Sequence, residues 1–363
     1  MLTSRSITAL GPRVRLTVPR TMSVRVAAAP ARRLTTQAPL ASAAPNGGKP
    51  SSNLGLWAAV LLATAGGGYY YLNREGTSLV RDVNKAEKAV SAEVKKALAG
   101  DKFQTFTIKA IRPVSHNTSL YTFELPEEDM VLGLDVASCL LAKLVEPGTG
   151  PDAKPKVIIR PYTPVSSEDQ KATFDLLIKH YPEGKFTSKL ATLKPGDKVD
   201  IKGPIPKYKY TPNMHKEIGI VVSGSGLTPG KQLVDRILAN PDDHTKVSLL
   251  YGNLSEDDIL LRDELDALAK QHPDRLRVHY TVDKAPKDWP FSTGYVTKAM
   301  AKEYLPAPGG KSDGEHSDTM IFVCGPPPMV NAISGPKASI TDQGKVSGIL
   351  KELGYDESNV FKF

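Results

Sequence analysis

The hydrophobic pattern of this 363-residue chain changes its period once, and that change restricts the fold more than any other feature. Six strand-like runs follow one another at residues 103–111, 120–124, 139–145, 156–160, 173–180 and 199–202, with Pro, Gly and Asn in the gaps. No long helical pattern interrupts them, so a six-stranded antiparallel β-barrel is the natural closure. From Glu217 onward, strand and helix alternate. Residues 217–223, 247–252, 277–282, 320–324 and 359–363 read as strands, and 231–239, 257–269, 297–304 and 346–353 as helices. Such alternation predicts an α/β doubly wound parallel sheet. A polar connector with Pro206, Pro212 and Asn213 separates the two patterns, giving domains at 101–210 and 211–363.

Charge divides the chain elsewhere. A pI near 9.2 would suit a polyanionic partner. Residues 1–75, however, hold nine bases and a single acid, Glu75, which leaves 38 of the 47 bases against 38 of the 39 acids beyond them. The folded part is formally neutral, and nucleic acid is excluded as its partner. Residues 1–50 are rich in Arg, Ser, Thr and Ala and free of Asp and Glu, the composition of a mitochondrial targeting segment; low-complexity disorder is the alternative. The uncharged run 54–72, at about 1.5 Å per residue, is long enough to cross most of a bilayer core. Trp57 near one end and Tyr69, Tyr70 and Tyr71 at the other suit interfacial anchors. We therefore expect a single-pass transmembrane anchor in the mitochondrial outer membrane, with a cleaved intermembrane-space form as the alternative product. Residues 73–100 read as a stalk, helical over 84–98 where Lys and Glu intersperse. Two cysteines exclude a disulfide scaffold, and seven histidines without HExxH or paired-Cys spacing give no metal site.

Four short segments carry the chemistry. Arg160, Pro161, Tyr162, Thr163 and Pro164 close the fourth strand with a fixed cation, an aromatic face and a hydroxyl. An arginine forks onto a pyrophosphate, a tyrosine ring lies against a flavin or ribose, and a threonine hydroxyl reaches flavin nitrogens. A proline-rich strand end with an exposed arginine fits the same residues. In Gly184, Lys185, Phe186, Thr187 and Ser188 the glycine allows close approach, and Thr187 or Ser188 could cap a short helix facing a phosphate. An ordinary capped helix reads the same way. Ser223, Gly224, Ser225, Gly226, Leu227, Thr228, Pro229 and Gly230 turn from strand into helix, where a doubly wound sheet presents amides to phosphate. The turn matches neither GxGxxG nor the P-loop, which weighs against an ATPase. Cys324, Gly325, Pro326, Pro327, Pro328 and Met329 end a later strand on the same side, so Cys324 and Thr228 should face one ligand. A buried, inert cysteine is the plainer reading, although the prolines would build a rigid wall beside it.

In this order and spacing, the four segments resemble the ferredoxin-reductase flavoproteins and, within them, the NADH-cytochrome b5 reductases. The leader, the anchor and residues 280–286 make the chain similar to the mitochondrial fungal branch. The resemblance implies that the barrel holds FAD and the doubly wound domain NADH. It implies Arg160 on the FAD pyrophosphate, Pro161, Tyr162 and Thr163 at the flavin ring or ribitol, and Lys179 and Tyr181 as further flavin contacts. It also implies Gly184 to Ser188 on phosphate, and Thr228 and Cys324 flanking the nicotinamide beside Gly224, Ser225, Gly226, Pro229, Gly325, Pro326 and Met329. Asp283 would meet the adenosine ribose, with a cap on the turn before Pro286 as its other reading. Thr163 and Cys324 stand closest to the chemistry. The reaction implied is hydride transfer from NADH to FAD, then single electrons to a separate heme protein like cytochrome b5, from a monomer; a quinone or other redox protein is the alternative acceptor. Ser223 and Gly230 depart from the family's Gly and Met, Gly230 loosening the helix start by up to about 1 kcal/mol.

Overall fold

The computed structural model describes residues 94–146, 148, 154–311 and 314–363, all within one compact unit, Lys85–Phe363. The expected leader, the anchor and most of the stalk lie outside the described residues. Among those described, no helix is long and apolar enough to cross a membrane.

The first six strands are β1 (Gln104–Ser115), β2 (Thr118–Glu124), β3 (Ser138–Glu146), β4 (Lys156–Tyr162), β5 (Thr173–Lys179) and β6 (Lys198–Pro206). They form one antiparallel sheet in the order β4-β3-β6-β1-β2-β5. Its core is aromatic, with Phe123 stacked on Phe174 at 5.1 Å and Phe106 edge-on to Phe174 at 5.3 Å. The expected barrel closure is not a ladder. Edge strands β4 and β5 do not pair, and Val165 N–H donating to Asp175 O at 3.0 Å ties the chain beyond β4 to β5. The stalk expectation also fails where it can be seen. Ala97 N–H donates to Val131 O and Leu98 N–H to Leu132 O, so Lys96 forms a parallel bridge with Val131, residues 94–98 are not helical, and Ala97 is buried in the first core. Lys and Glu spacing suggested a helix, but the backbone at 131–132 satisfies the same groups.

The second sheet is parallel, in the order β10-β9-β8-β7-β11-β12. Its strands are β7 (Glu217–Ser223), β8 (Lys246–Ser255), β9 (Leu276–Lys284), β10 (Ser292–Thr293), β11 (Thr319–Cys324) and β12 (Val360–Lys362). Strands β7 and β11 are buried on both faces, which is why they read as unbroken apolar runs. Helices α2 (Leu227–Ala239) and α3 (Arg262–Gln271) cover one face; α4 (Lys298–Tyr304), α5 (Pro327–Ser334) and α6 (Gly348–Glu352) cover the other. The chain walks outward from β7 through β8 to β10, then returns to lay β11 on β7's other side. Open α/β sheets bind ligands at such a reversal, beyond the carboxyl ends of the two strands.

Helix α5 and the two-residue strand β10 are elements the sequence reading missed. Pro327 and Pro328 do not extend a wall; they occupy the first turn of α5, where a missing N–H costs nothing. Helix α2 begins four residues earlier than expected because Gly224–Gly226 is a single tight turn. The connector after β6 is more than a polar spacer. Tyr210 donates to Asp243 Oδ2 at 2.6 Å, and the Tyr208 ring packs on Phe322 and Phe361.

Candidate active site

A cleft of about 1380 Å³ lies between the two sheets. Its walls come from the turn after β4, from the end of β5, and from the turns that leave β7, β9 and β11. An apolar seam beneath it joins Ala137, Leu120, Leu177 and Val165 of the first sheet's side to the α2 face of the second.

From the first sheet, Pro161, Tyr162 and Thr163 reach the cleft. Strand alternation puts Tyr162 on the inner face, where its ring leans on Phe186 at 5.5 Å, and burial pushes its phenol well above the usual tyrosine range. Thr163 is buried beside it. Arg160 lies on the same face of β4, beyond the cleft walls. It is exposed, and Nη1 donates to Ile159 O at 2.8 Å.

Helix α1 (Lys185–Leu190) departs from its expected form. Its N-cap is Gly184, without a side-chain cap. Thr187 is inside the helix, and its hydroxyl bonds to Tyr181, accepting from N–H at 3.1 Å and donating to O at 3.2 Å. A Cβ on Gly184 would stand 2.5 Å from Thr187 Oγ1, so the glycine makes room for that threonine. Of residues 184–188 only Thr187 lines the cleft; Phe186 is core, and Lys185 and Ser188 face outward.

Lys179 and the exposed Tyr181 border the cleft at the end of β5. Lys179 Nζ donates to Asp258 Oδ1 at 2.9 Å across the domain boundary. Ser255 and Asn117 also donate to Asp258, at 2.7 and 3.2 Å. Burial would raise this carboxyl, but the hydrogen bonds from Lys179, Ser255 and Asn117 outweigh it and hold its pKa at about 2.

The second sheet supplies two facing turns. Gly224 has φ +54°, in the left-handed region that favours glycine, and no atom lies within 4 Å of where its Cβ would be. Tyr251, fully buried on β8, fixes this turn by donating to Gly224 O at 3.0 Å. At Gly226 a Cβ would stand 2.5 Å from Cys324 O, so the two turns touch through their backbones. Behind them Gly230 is pressed on Ile220, with room for no Cβ. Ser225, Thr228 and Pro229 line the cleft at the start of α2, where the positive end of the helix dipole lies. Gly325, Pro326 and Met329 complete the opposite turn beside Cys324, whose thiol burial pushes up to about 12. Asp283 is exposed at the cleft edge, and its carboxylate caps no turn among the described residues.

Asn253, Tyr295, Lys207, Lys337 and Phe363 also form the walls, and the sequence reading did not single them out. Asn253 is 7% exposed, and neither its side-chain N nor its O has a hydrogen-bond partner. An orphaned amide at the carboxyl end of a parallel strand, facing a cleft with a glycine cradle and a helix start, fits a bound dinucleotide. The only sequence signal for Asn253 was an amide inside an apolar strand. Tyr295, 83% exposed at the rim, had none beyond its preceding glycine.

Comparison with known proteins agrees with this division of the chain. The model of the oxidoreductase FAD-binding domain matches residues 105–210, and that of the oxidoreductase NAD-binding domain residues 220–335. A "NADH-cytochrome b5 reductase-like protein" of Arabidopsis thaliana is 45% identical over 336 residues, covering 92% of this chain and 98% of its own. A "NADH-cytochrome b5 reductase 2" of Pyricularia oryzae is 43% identical over 335 residues, covering 92% and 96%. Among solved structures, the cytochrome b5 reductase domain of Ulva prolifera nitrate reductase superposes with a TM-score of 0.63 at 32% identity, covering 74% of this chain and 99% of that one.

Proposed function

The chain belongs to the family of NADH-cytochrome b5 reductases, which makes it an FAD-dependent oxidoreductase, and from there we propose that its cleft aligns NADH with FAD and that a heme protein of the cytochrome b5 class takes the electrons away. One observation carries this reading: the turn after β4, from the FAD-binding half, meets in a single cleft the two turns that leave neighbouring strands of the NAD-binding half. Bound FAD supplies the chemistry, accepting a two-electron hydride and releasing electrons singly.

The residues bind and orient. Tyr162, propped by Phe186, offers a fixed ring face, and Thr163 offers a hydroxyl beside it. Arg160, outside the cleft on the same face of β4, neutralises the FAD pyrophosphate. Gly224 and the start of α2 take dinucleotide phosphate, Asn253 supplies a free amide, and Thr228 with Cys324 orients the nicotinamide. Asp283 accepts hydrogen bonds from the ribose hydroxyls and repels a 2′-phosphate. Purified residues 76–363 should show flavin absorbance that NADH bleaches and oxidised cytochrome b5 restores. A colourless protein would end the reading; bleaching restored by a quinone and not by the heme protein would move the acceptor to the quinone class.

The acidic-residue-free segment 1–50 and the uncharged run 54–72 support a mitochondrial, single-pass protein of the outer membrane; that it acts as a monomer is a further part of the proposal. Carbonate extraction and protease protection of isolated mitochondria test the placement, and sedimentation tests the monomer.

A further inference from the structure

Each half of the molecule contributes one lysine to the wall of the cleft near its two cysteines. Lys207 follows β6, and its N–H donates to Ala137 O at 3.0 Å, next to Ser138 and Cys139 of the wall. Lys337 lies on the loop between α5 and α6, with Nζ donating to Lys362 O at 3.0 Å. That loop is fastened from below. Lys362, 0% exposed, donates through Nζ to Pro336 O at 3.1 Å and Lys345 O at 3.2 Å. Gln343 brackets the same residue, accepting from its N–H at 2.6 Å and donating to its O at 3.1 Å. Lys337 is thus held in place.

Among the described residues, neither Lys207 nor Lys337 forms an ion pair with a carboxylate. Burial lowers the pKa of Lys337, and the like charges of Lys207 and Lys362 lower it further. Lys207 and Lys337 also act on Cys139, drawing its thiol down against the burial that pushes it up. Partly buried cations that repel one another and lack a counter-ion are costly, and an anion between them removes the cost.

We propose that Lys207 and Lys337 form an oxyanion subsite of the cleft, taking a phosphate group with the buried Ser138 hydroxyl beside it. Two ammonium groups on separate domains act as point charges for a dianion and tie the halves together through it. The subsite stands on the cleft's own geometry; that its phosphate belongs to a dinucleotide rests on the function proposed above.

The test uses the full chain, with inorganic phosphate as probe and chloride at equal ionic strength as control. Phosphate should raise the wild-type Tm and compete with NADH. Lys337→Gln and Lys207→Gln should each raise KM for NADH about tenfold while kcat stays within about twofold, as expected when one charge-assisted hydrogen bond to the ligand is removed. Glutamine at 337 retains a donor for Lys362 O, and Lys337→Arg should restore the wild-type response, which separates charge from folding. Phosphate that stabilises the wild type and not the double variant, without competing with NADH, would assign the subsite to free phosphate. Equal phosphate response and unchanged KM in the double variant would overturn the proposal. If NADH bleaches no flavin, the dinucleotide reading fails, whereas loss of phosphate stabilisation in the double variant would still support the subsite.

Discussion

Cys324 keeps its proton at neutral pH, since burial pushes its thiol to about 12 while Lys337 pulls only weakly the other way. It presents the cleft with a weakly polar atom at a fixed place, and a thiolate is the form a nucleophile needs. Cys324→Ser should therefore slow NADH bleaching of the flavin by on the order of tenfold through misalignment, with flavin content unchanged. A covalent adduct on Cys324 would contradict this. Asp283 has no hydrogen bond to lose among the described residues, so Asp283→Thr should leave stability within about 0.5 kcal/mol of wild type while raising NADPH turnover, chiefly through KM. An unchanged preference for NADH would assign the ribose contact elsewhere. Arg160→Ala should lower flavin content per mole of protein, because a pyrophosphate loses a partner worth about 1.5 to 3 kcal/mol. Tyr162, Thr163 and Cys324 were legible because each stands at or just past the end of a strand, within a motif. Asn253 and Lys337 were not, because one is an unremarkable strand residue and the other gains its place only through Lys362, 25 positions away.

The elements that matter here are joined at their ends. Gly226 and Cys324 close the gap between the start of α2 and the end of β11, and a methyl group at 226 would strike the Cys324 carbonyl. Gly226→Ala should cost about 1 to 3 kcal/mol of stability and slow flavin bleaching more than it weakens NADH binding. Calorimetry with stopped-flow absorbance would check both. The Asp258 cluster joins the end of β5 to the loop after β8 in the same way. Its folded pKa, about 2, lies below the ordinary carboxyl value near 3.9, so the stabilisation is present above pH 4 and lost as pH falls toward 2. Asp258→Asn should flatten the fall in Tm over that window; a parallel fall in both proteins would exclude the cluster as its cause. Strand and helix types were readable from period alone. Helix starts were less so, because Gly184, Gly226 and the prolines at 327 and 328 begin helices without the side-chain caps that mark most N-termini in a sequence.

For the whole molecule, the order of sheets followed from the change of period, whereas the place of residues 95–98 did not, because their strand partner at 131–132 lies more than thirty residues on. A chain starting at 76 should fold and carry flavin. One starting at 101 loses the backbone bonds to Val131 and Leu132 and the burial of Ala97, together worth about 3 kcal/mol, and should melt several degrees lower. Equal Tm values would show that the segment adds nothing. The two turns that meet in the cleft spring from β7 and β11, where Ile218, Ile220, Val221, Ile321, Phe322 and Val323 are wholly enclosed. Amides so placed exchange with deuterium only when the entire fold opens. Heat therefore has no gentle way to loosen the catalytic geometry: reductase activity should climb smoothly on warming, as any activated step does, then vanish in the same narrow interval in which these strands first take up the isotope.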